Sequence, residues 1–150
     1  MTMAMMLSQA AAAWLRVCIV VHAAEPEVLM LTAEIRSELA KAGLDCTEMI
    51  EKFMDSEEMF LKFFKKFFGA ADSVVEELSA AIEADDHAAI ENRAHALKGL
   101  SGNIGLNGVF IPARKIVDDV RAGRYDSYKE DLAQLKSAYA IAYSVSQKMV

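Results

Sequence analysis

Apolar residues recur at helical spacing along most of this 150-residue chain. From Ser56 to about Ala84 they stay in phase across Gly69, which predicts a single long helix despite the glycine. The apolar positions of this helix are Phe60, Phe64, Phe67, Ala71, Val74, Leu78 and Ile82. A second stripe predicts a last helix, which starts at Asp126. Its expected buried residues are Leu132, Leu135, Tyr139, Ala142, Val145 and Met149.

Two further helices are predicted between these. Asp85 and Asp86 offer an N-cap for a helix that begins near His87. Its apolar face comprises Ile90, Ala94, Leu97, Ser101 and Ile104. After Gly105 and Gly108 the chain is expected to turn. The next helix is expected to have Pro112 in its first turn, to bury Ile116, Val117 and Val120, and to end at Gly123.

The pattern also predicts shorter helices before the long ones. An apolar stripe through Leu31, Ile35 and Leu39, begun by Pro26 and Val28, ends at Gly43. Asp45 and Glu48 have the spacing of a capping box and open a short helix that continues through Ile50, Phe53 and Met54. Four longer helices with short connections predict an all-α fold, an antiparallel four-helix bundle with additional N-terminal helices.

The first 24 residues form an apolar segment of a different kind. Val21-His22-Ala23 resembles a signal-peptide cleavage site, but no Lys or Arg precedes the apolar stretch. Arg16 interrupts it, which leaves uncharged runs shorter than the ~18 residues that a membrane span needs. We expect residues 1–24 to be a helix or an extension, and residues 25–150 to be one helical domain. Secretion remains the alternative.

Composition narrows the function further. The formal net charge is −6 and the pI is near 5.1, which argues against nucleic-acid binding and favours a protein partner. Cys18 and Cys46 form no metal-spaced or redox pair. We therefore expect reduced thiols, a cytoplasmic protein and no zinc site.

His95 is the residue whose position suggests chemistry. On the predicted helix it points away from the apolar face, so its imidazole is presented to solvent. Gly99 and Gly102 fall near the same angle, which removes side chains from the surface beside the ring, and Lys98 places an ammonium within reach. This arrangement suits a phosphoryl acceptor that must enter another protein's active site. Taken alone, it also fits a surface histidine near a helix end.

The run His95-Ala96-Leu97-Lys98-Gly99 resembles the signature of histidine-containing phosphotransfer (HPt) domains. That signature is His-x-Leu-Lys-Gly with a second glycine six residues after the first, and Gly105 stands at that place. The similarity covers roughly residues 31–146 and includes the segments Gly43-Leu44-Asp45, Glu51-Lys52-Phe53-Met54 and Met59 to Phe67.

This resemblance implies that His95 attacks the acyl phosphate of a receiver-domain aspartate, holds the group as a phosphoramidate and passes it to another receiver. Lys98 would neutralise phosphoryl charge, and Gly99 and Gly102 would keep the ring accessible. The receiver would supply Mg²⁺, so no cofactor of the chain's own is expected. Glu91 is interpreted as a lone, solvated carboxylate that could orient the ring.

The resemblance also implies a relay protein and not an enzyme. The chain shows no Gly-rich nucleotide loop, and Ala96 stands where the phosphoacceptor helices of histidine kinases usually carry an acidic residue. The expected partners are receiver domains of response regulators or hybrid histidine kinases, bound by a monomer. His22 and His87 lack comparable surroundings and are interpreted as incidental.

Several alternatives stay open. The chain could be a receiver-binding or inhibitory module that transfers no phosphate, or an exported helical protein of unrelated role. The run from Phe60 to Phe68 contains three lysines and predicts a core helix in preference to a membrane-surface helix. Apolar residues at its exposed edge could add to receiver docking. Asn107-Gly108 and Phe110-Ile111-Pro112 depart from the family pattern, which leaves the register of the following helix open.

Overall fold

The computed structural model describes residues 31–149, and this part of the chain contains six helices and no strand. Two are short, α1 (Ala33–Lys41) and α2 (Cys46–Lys52). Four are long: α3 (Glu57–Glu83), α4 (His87–Ile104), α5 (Asn107–Arg121) and α6 (Tyr128–Lys148). The predicted all-α class is confirmed. The expectations for residues 1–24, and the domain boundary at residue 25, lie outside the described residues.

The four long helices form the predicted antiparallel bundle. Helix α4 packs between α3 and α5, and α6 packs against both α5 and α3, which closes the ring. Short connections, residues 84–86, 105–106 and 122–127, force neighbouring helices to run in opposite directions. Helix α1 lies against α6, and α2 contacts α1 and α3. None of the helices described between residues 31 and 149 is long and apolar enough to cross a membrane.

Local capping signals fix where three helices begin. The side chains of Asp45, Ser56 and Asp86 each accept a hydrogen bond from the backbone N–H three residues further on, at 3.2 Å. Asp86 thus sets the start of α4, as predicted. Ser56 begins α3, which continues across Gly69 to Glu83, so the single long helix is also confirmed.

Two N-terminal helices differ from their predicted bounds. Helix α1 starts after the N-cap Thr32, and the predicted start at Pro26 lies outside the described residues. Helix α2 ends at Lys52 instead of continuing through Phe53 and Met54. Met54 and the residue after it adopt left-handed backbone angles, φ 58° and 60°, because the chain must reverse before α3.

The start of α5 corrects the prediction of a turn at Gly108. Gly105, with φ 70°, ends α4, and α5 already begins at Asn107. Gly108 lies inside the first turn, where its N–H donates to the Ala42 carbonyl at 2.9 Å. A Cβ at this position would lie 2.6 Å from the Ala138 Cβ, so close packing requires the glycine.

Pro112 lies one turn further into α5 than predicted. As the sixth residue of the helix it is buried, and it lacks the N–H that would bond to the Gly108 carbonyl. The predicted buried positions of α5 are confirmed. They are Ile116, Val117 and Val120. The helix ends at Arg121, two residues before Gly123.

A buried carboxylate, Asp119, explains why α6 begins later than predicted. Its side chain accepts hydrogen bonds from the Ser127 hydroxyl at 2.8 Å and from the Arg124 guanidinium at 3.0 Å. Its backbone carbonyl accepts the Arg124 N–H at 2.8 Å. These bonds hold the connection in a loop, so α6 starts at Tyr128 and not at Asp126. All six residues predicted to be buried by this helix are buried, and the last of them, Met149, is the C-cap that follows it.

The loop around Asp119 is expected to make the fold sensitive to acid. Burial opposes ionisation of Asp119, but hydrogen bonds from Ser127 and Arg124 outweigh it and hold its pKa below the ordinary value. A lowered folded-state pKa stabilises the fold above the unfolded-state pKa, and this stabilisation is lost as the pH falls through the folded-state value. Asp119→Asn should lower the free energy of unfolding by about 1–3 kcal/mol at neutral pH.

The measurement is urea denaturation of both proteins between about pH 6 and about pH 3, a range that spans the unfolded-state Asp pKa. The variant should lose less stability than the wild type as the pH falls. Asp118→Asn is the control, because Asp118 is an exposed carboxylate on the same helix with Arg114 at 3.9 Å. Equal pH dependence in the wild type and in Asp119→Asn would contradict this role.

Candidate functional site

His95 lies in the middle of α4, on its solvent side. The face predicted to be apolar is buried in the bundle, and it contains Ile90, Ala94, Leu97, Ser101 and Ile104. The Ser101 hydroxyl, the one polar group on that face, donates to the Leu97 carbonyl at 2.6 Å. The His95 side chain is exposed to solvent. Its two ring nitrogens make no hydrogen bond and no ion pair with residues 31–149, so the imidazole is uncommitted, which means free to react.

The three glycines that follow His95 have different surroundings. Gly99 is exposed, and a Cβ there would meet nothing within 4 Å. Gly102, also expected to leave open space, is exposed as well, and a Cβ added there would be in ordinary van der Waals contact with the Phe110 ring of α5, at 3.4 Å. At Gly105 an added Cβ would overlap the Met49 side chain of α2. Gly99 therefore leaves the surface beside the ring open, Gly102 is exposed with the Phe110 ring next to it, and Gly105 borders the Met49 side chain.

Lys98 lies one turn after His95 and is half-buried. Its ammonium makes no hydrogen bond and no ion pair with any residue of the described chain. The charge of Lys98 is therefore not neutralised by a carboxylate in this part of the protein. A cation in this position can interact with an anion that arrives at the neighbouring ring.

A shallow hollow of about 350 Å³ opens beside the His95 ring, between α4 and α5. Small side chains, Ala88 and Ala96, leave it wide. The remaining lining residues are Glu91, Asn92 and Arg121. The hollow has room for a group attached to the ring, and it presents one carboxylate and one guanidinium to that group.

Arg121 is the residue of this site that sequence reasoning missed. Its Nε donates to Glu91 Oε1 at 2.7 Å, across a separation of 30 residues. Glu91 is therefore not the lone, solvated carboxylate of the sequence interpretation but one half of an interhelical ion pair. The sequence marks Arg121 as a cation in the last turn of α5, and nothing local connects it with His95.

Outside the hollow, α3 is the amphipathic core helix that the pattern predicts. Its buried aromatic residues are Phe60, Phe64, Phe67 and Phe68, and its three lysines are exposed. Met59 and Phe63 remain 45% and 46% exposed at the edge of this helix, where the Lys66 ammonium lies 5.9 Å from the Phe63 ring centroid. These two residues form an exposed apolar edge on α3.

The other histidine and the cysteine of the described residues, His87 and Cys46, pack against the rest of the fold. His87 stacks on Tyr125 with 3.7 Å between ring centroids, and its Nε2 lies 3.8 Å from Asp85. Its ring therefore packs the loop between α3 and α4 against the loop between α5 and α6. Cys46 is a buried free thiol whose pKa is raised by burial. His22 and Cys18 lie outside the described residues. Over residues 31–149, no three His, Cys, Asp or Glu side chains are placed to hold a metal ion.

The family model of the Hpt domain matches residues 62–142 of the chain. The match begins within α3, contains all of α4 and α5, and ends within α6, so it covers the bundle that carries His95. No curated protein matches the chain significantly. No solved structure does so either.

Proposed function

The chain belongs to the histidine-containing phosphotransfer (HPt) family, and we propose that its His95 accepts a phosphoryl group from a receiver-domain aspartate and passes it to another receiver. HPt domains carry phosphoryl groups on histidine in phosphorelays, bind receiver domains and have no kinase activity of their own. The observation that supports His95 as the acceptor is its exposed, uncommitted ring on α4, beside the open surface of Gly99.

The proposed reaction needs only the imidazole as nucleophile. One neutral ring nitrogen donates its lone pair to the phosphorus of the aspartyl phosphate, and an N–P bond forms as the P–O bond to the carboxyl group breaks. The carboxylate leaves with the electron pair of that bond. The proton on the other ring nitrogen stays in place during the step, so no external acid, base or oxidant is required. The reverse reaction, with a second receiver aspartate, removes the phosphoryl group.

In this proposal two cations of the chain stabilise charge during transfer. Lys98 lies one turn from His95, and Arg121 lines the adjoining hollow. Both can attract the phosphoryl oxygens, whose charge is spread in the transition state. We further propose that the receiver supplies the Mg²⁺ and that the exposed edge of α3, Met59 and Phe63, contributes to receiver contact.

The test is transfer from a receiver domain that has been phosphorylated with acetyl phosphate. Mixed with a panel of such receivers, the chain should acquire an acid-labile, alkali-stable label from at least one of them and return it to a second receiver. A non-transferring inhibitory module would bind receivers and slow their dephosphorylation without acquiring label. Absence of label with every receiver of the panel would contradict the proposal.

Lys98→Ala is expected to slow labelling about tenfold without abolishing it, because a charge-assisted contact is lost while the nucleophile remains. The matched control is Lys129→Ala, which removes an exposed lysine from α6. Single-turnover rates of both variants should also be measured at rising salt, where screening reduces the advantage of the wild type. An unchanged rate in Lys98→Ala would remove the proposed electrostatic role.

A further inference from the structure

Glu91 and Arg121 form an ion pair that leaves most of the guanidinium unused. The contact is made by Nε of Arg121 alone, at 2.7 Å from Glu91 Oε1. Its other guanidinium nitrogens have no hydrogen-bond partner in residues 31–149. An arginine carries five N–H donors in a planar fork. The donors that Glu91 leaves free remain available to a second anion in the hollow.

The position of this pair brings it close to any group carried by His95. Glu91 precedes His95 by four residues on α4, so their Cβ atoms are about 5–6 Å apart on one face of the helix. Arg121 and the His95 ring line the same hollow. A phosphoryl group on the ring therefore enters a space in which the Arg121 guanidinium is already bound to the Glu91 carboxylate, which is the weaker anion.

We propose that Glu91 competes with the phosphoryl group for Arg121, so that phosphorylation of His95 moves the guanidinium from Glu91 to the phosphoryl oxygens. This inference depends on the proposed function and adds to it the means by which the group is held and released. A phosphoryl group carries more charge and more acceptor oxygens than a carboxylate, and arginine can bind it through two N–H groups. The Glu91 side chain is 38% exposed, so water can solvate it once Arg121 has moved.

Competition of this kind sets how firmly the phosphoryl group is held. Arg121 stabilises the phosphoryl group, but it must first break its contact with Glu91, and this loss offsets part of the stabilisation. The phosphorylated state is therefore less favourable than it would be if Arg121 had no partner beforehand. When the group leaves, Glu91 recovers its partner. A carrier that must both accept and donate a phosphoryl group gains from such a balance, because neither state is strongly preferred.

A double-mutant cycle tests the exchange. The measured quantity is the equilibrium distribution of phosphoryl group between this chain and a receiver domain charged with acetyl phosphate. Glu91→Gln should shift the distribution toward the chain about two- to fivefold, as expected for loss of one partly exposed ion pair. Arg121→Gln should shift it toward the receiver by about three- to tenfold.

The coupling between the two changes distinguishes exchange from simple repulsion. If Glu91 only repels the phosphoryl charge, Glu91→Gln shifts the distribution equally with and without Arg121. If the ion pair breaks on phosphorylation, Glu91→Gln shifts it about twofold or more further when Arg121 is present than in the Arg121→Gln background. Equal shifts in the two backgrounds would overturn the inference.

A second readout follows the guanidinium itself. The Arg121 Nε–H resonance should move when the ¹⁵N-labelled protein is phosphorylated at His95 with phosphoramidate, a small donor that needs no receiver. Glu77 of α3 and Arg93 of α4 provide the matched control. They form another Arg–Glu pair between two helices, with 2.8 Å from Arg93 Nη1 to Glu77 Oε2, and neither residue lines the hollow. Glu77→Gln should leave the phosphoryl distribution unchanged, and the Arg93 resonance should not move.

The two proposals fail in different ways. If His95→Gln still acquires label, the proposed function is wrong and the inference falls with it. If His95→Gln is unlabelled while the Arg121 resonance stays in place and the coupling is absent, the function stands and the exchange is wrong.

Discussion

His95→Gln is expected to abolish acid-labile phosphate uptake while the free energy of unfolding stays within about 0.5 kcal/mol of the wild-type value. The large functional effect follows because glutamine has no nitrogen lone pair that can attack phosphorus, so no slower route remains on this side chain. The small structural effect follows because the ring lies in solvent and makes no hydrogen bond in the described chain. Transfer from a phosphorylated receiver and urea denaturation measure the two effects.

His87→Gln is the control for this substitution. It removes the other histidine of the described residues, the one that stacks on Tyr125, and so it should cost some stability and leave phosphate uptake intact. Label on His95→Gln, or loss of label from a folded His87→Gln protein, would contradict the assignment of the phosphoacceptor.

The sequence predicted the parts of this site that depend on one helix. Helical phase alone places His95 opposite the buried face of α4, and local capping by Asp86 sets where that helix starts. Both follow from residues within a few turns of one another, whose relative positions are fixed by the geometry of an α-helix.

Contacts between helices could not be predicted in the same way. Arg121 reaches Glu91, and Phe110 lies beside Gly102, only because α5 packs on α4 in one particular register. That register is a property of packing between two helices, which the periodicity of either helix alone does not record. The sequence therefore predicted the exposed position of His95 with Lys98 one turn away, but not Arg121 or the contact between Gly102 and Phe110.

The late start of α6 has a similar cause. Asp126 has a residue type suited to an N-cap, and its local sequence favoured a helix start there. Asp119, one helix earlier, holds Arg124 and Ser127 in the loop and so delays the start to Tyr128. A buried carboxylate with tertiary partners can override a local capping preference, which the sequence alone does not reveal.

Gly99→Leu is expected to stabilise the fold and nearly to stop transfer from a receiver. Glycine in an exposed helix interior is unfavourable, so leucine should raise the free energy of unfolding by about 0.5–1 kcal/mol. A Cβ added at this position meets no side chain or neighbouring helix within 4 Å. Helical side chains lean toward the preceding turn, so leucine at this position would cover the surface beside His95. Misplacing the receiver aspartate by about 1 Å should slow transfer about 100-fold.

Gly69→Leu is the matched control, because Gly69 is also an exposed helical glycine with nothing within 4 Å of an added Cβ, but it lies on α3. It should gain similar stability and transfer at the wild-type rate. Phosphoramidate, which is far smaller than a receiver, should still label Gly99→Leu at His95, with less than about a tenfold loss of rate. If Gly99→Leu leaves transfer from the receiver unaffected, the bare surface at Gly99 is not the route by which a partner reaches the ring. If Gly69→Leu slows transfer equally, the effect of Gly99→Leu is not specific to the face that carries His95.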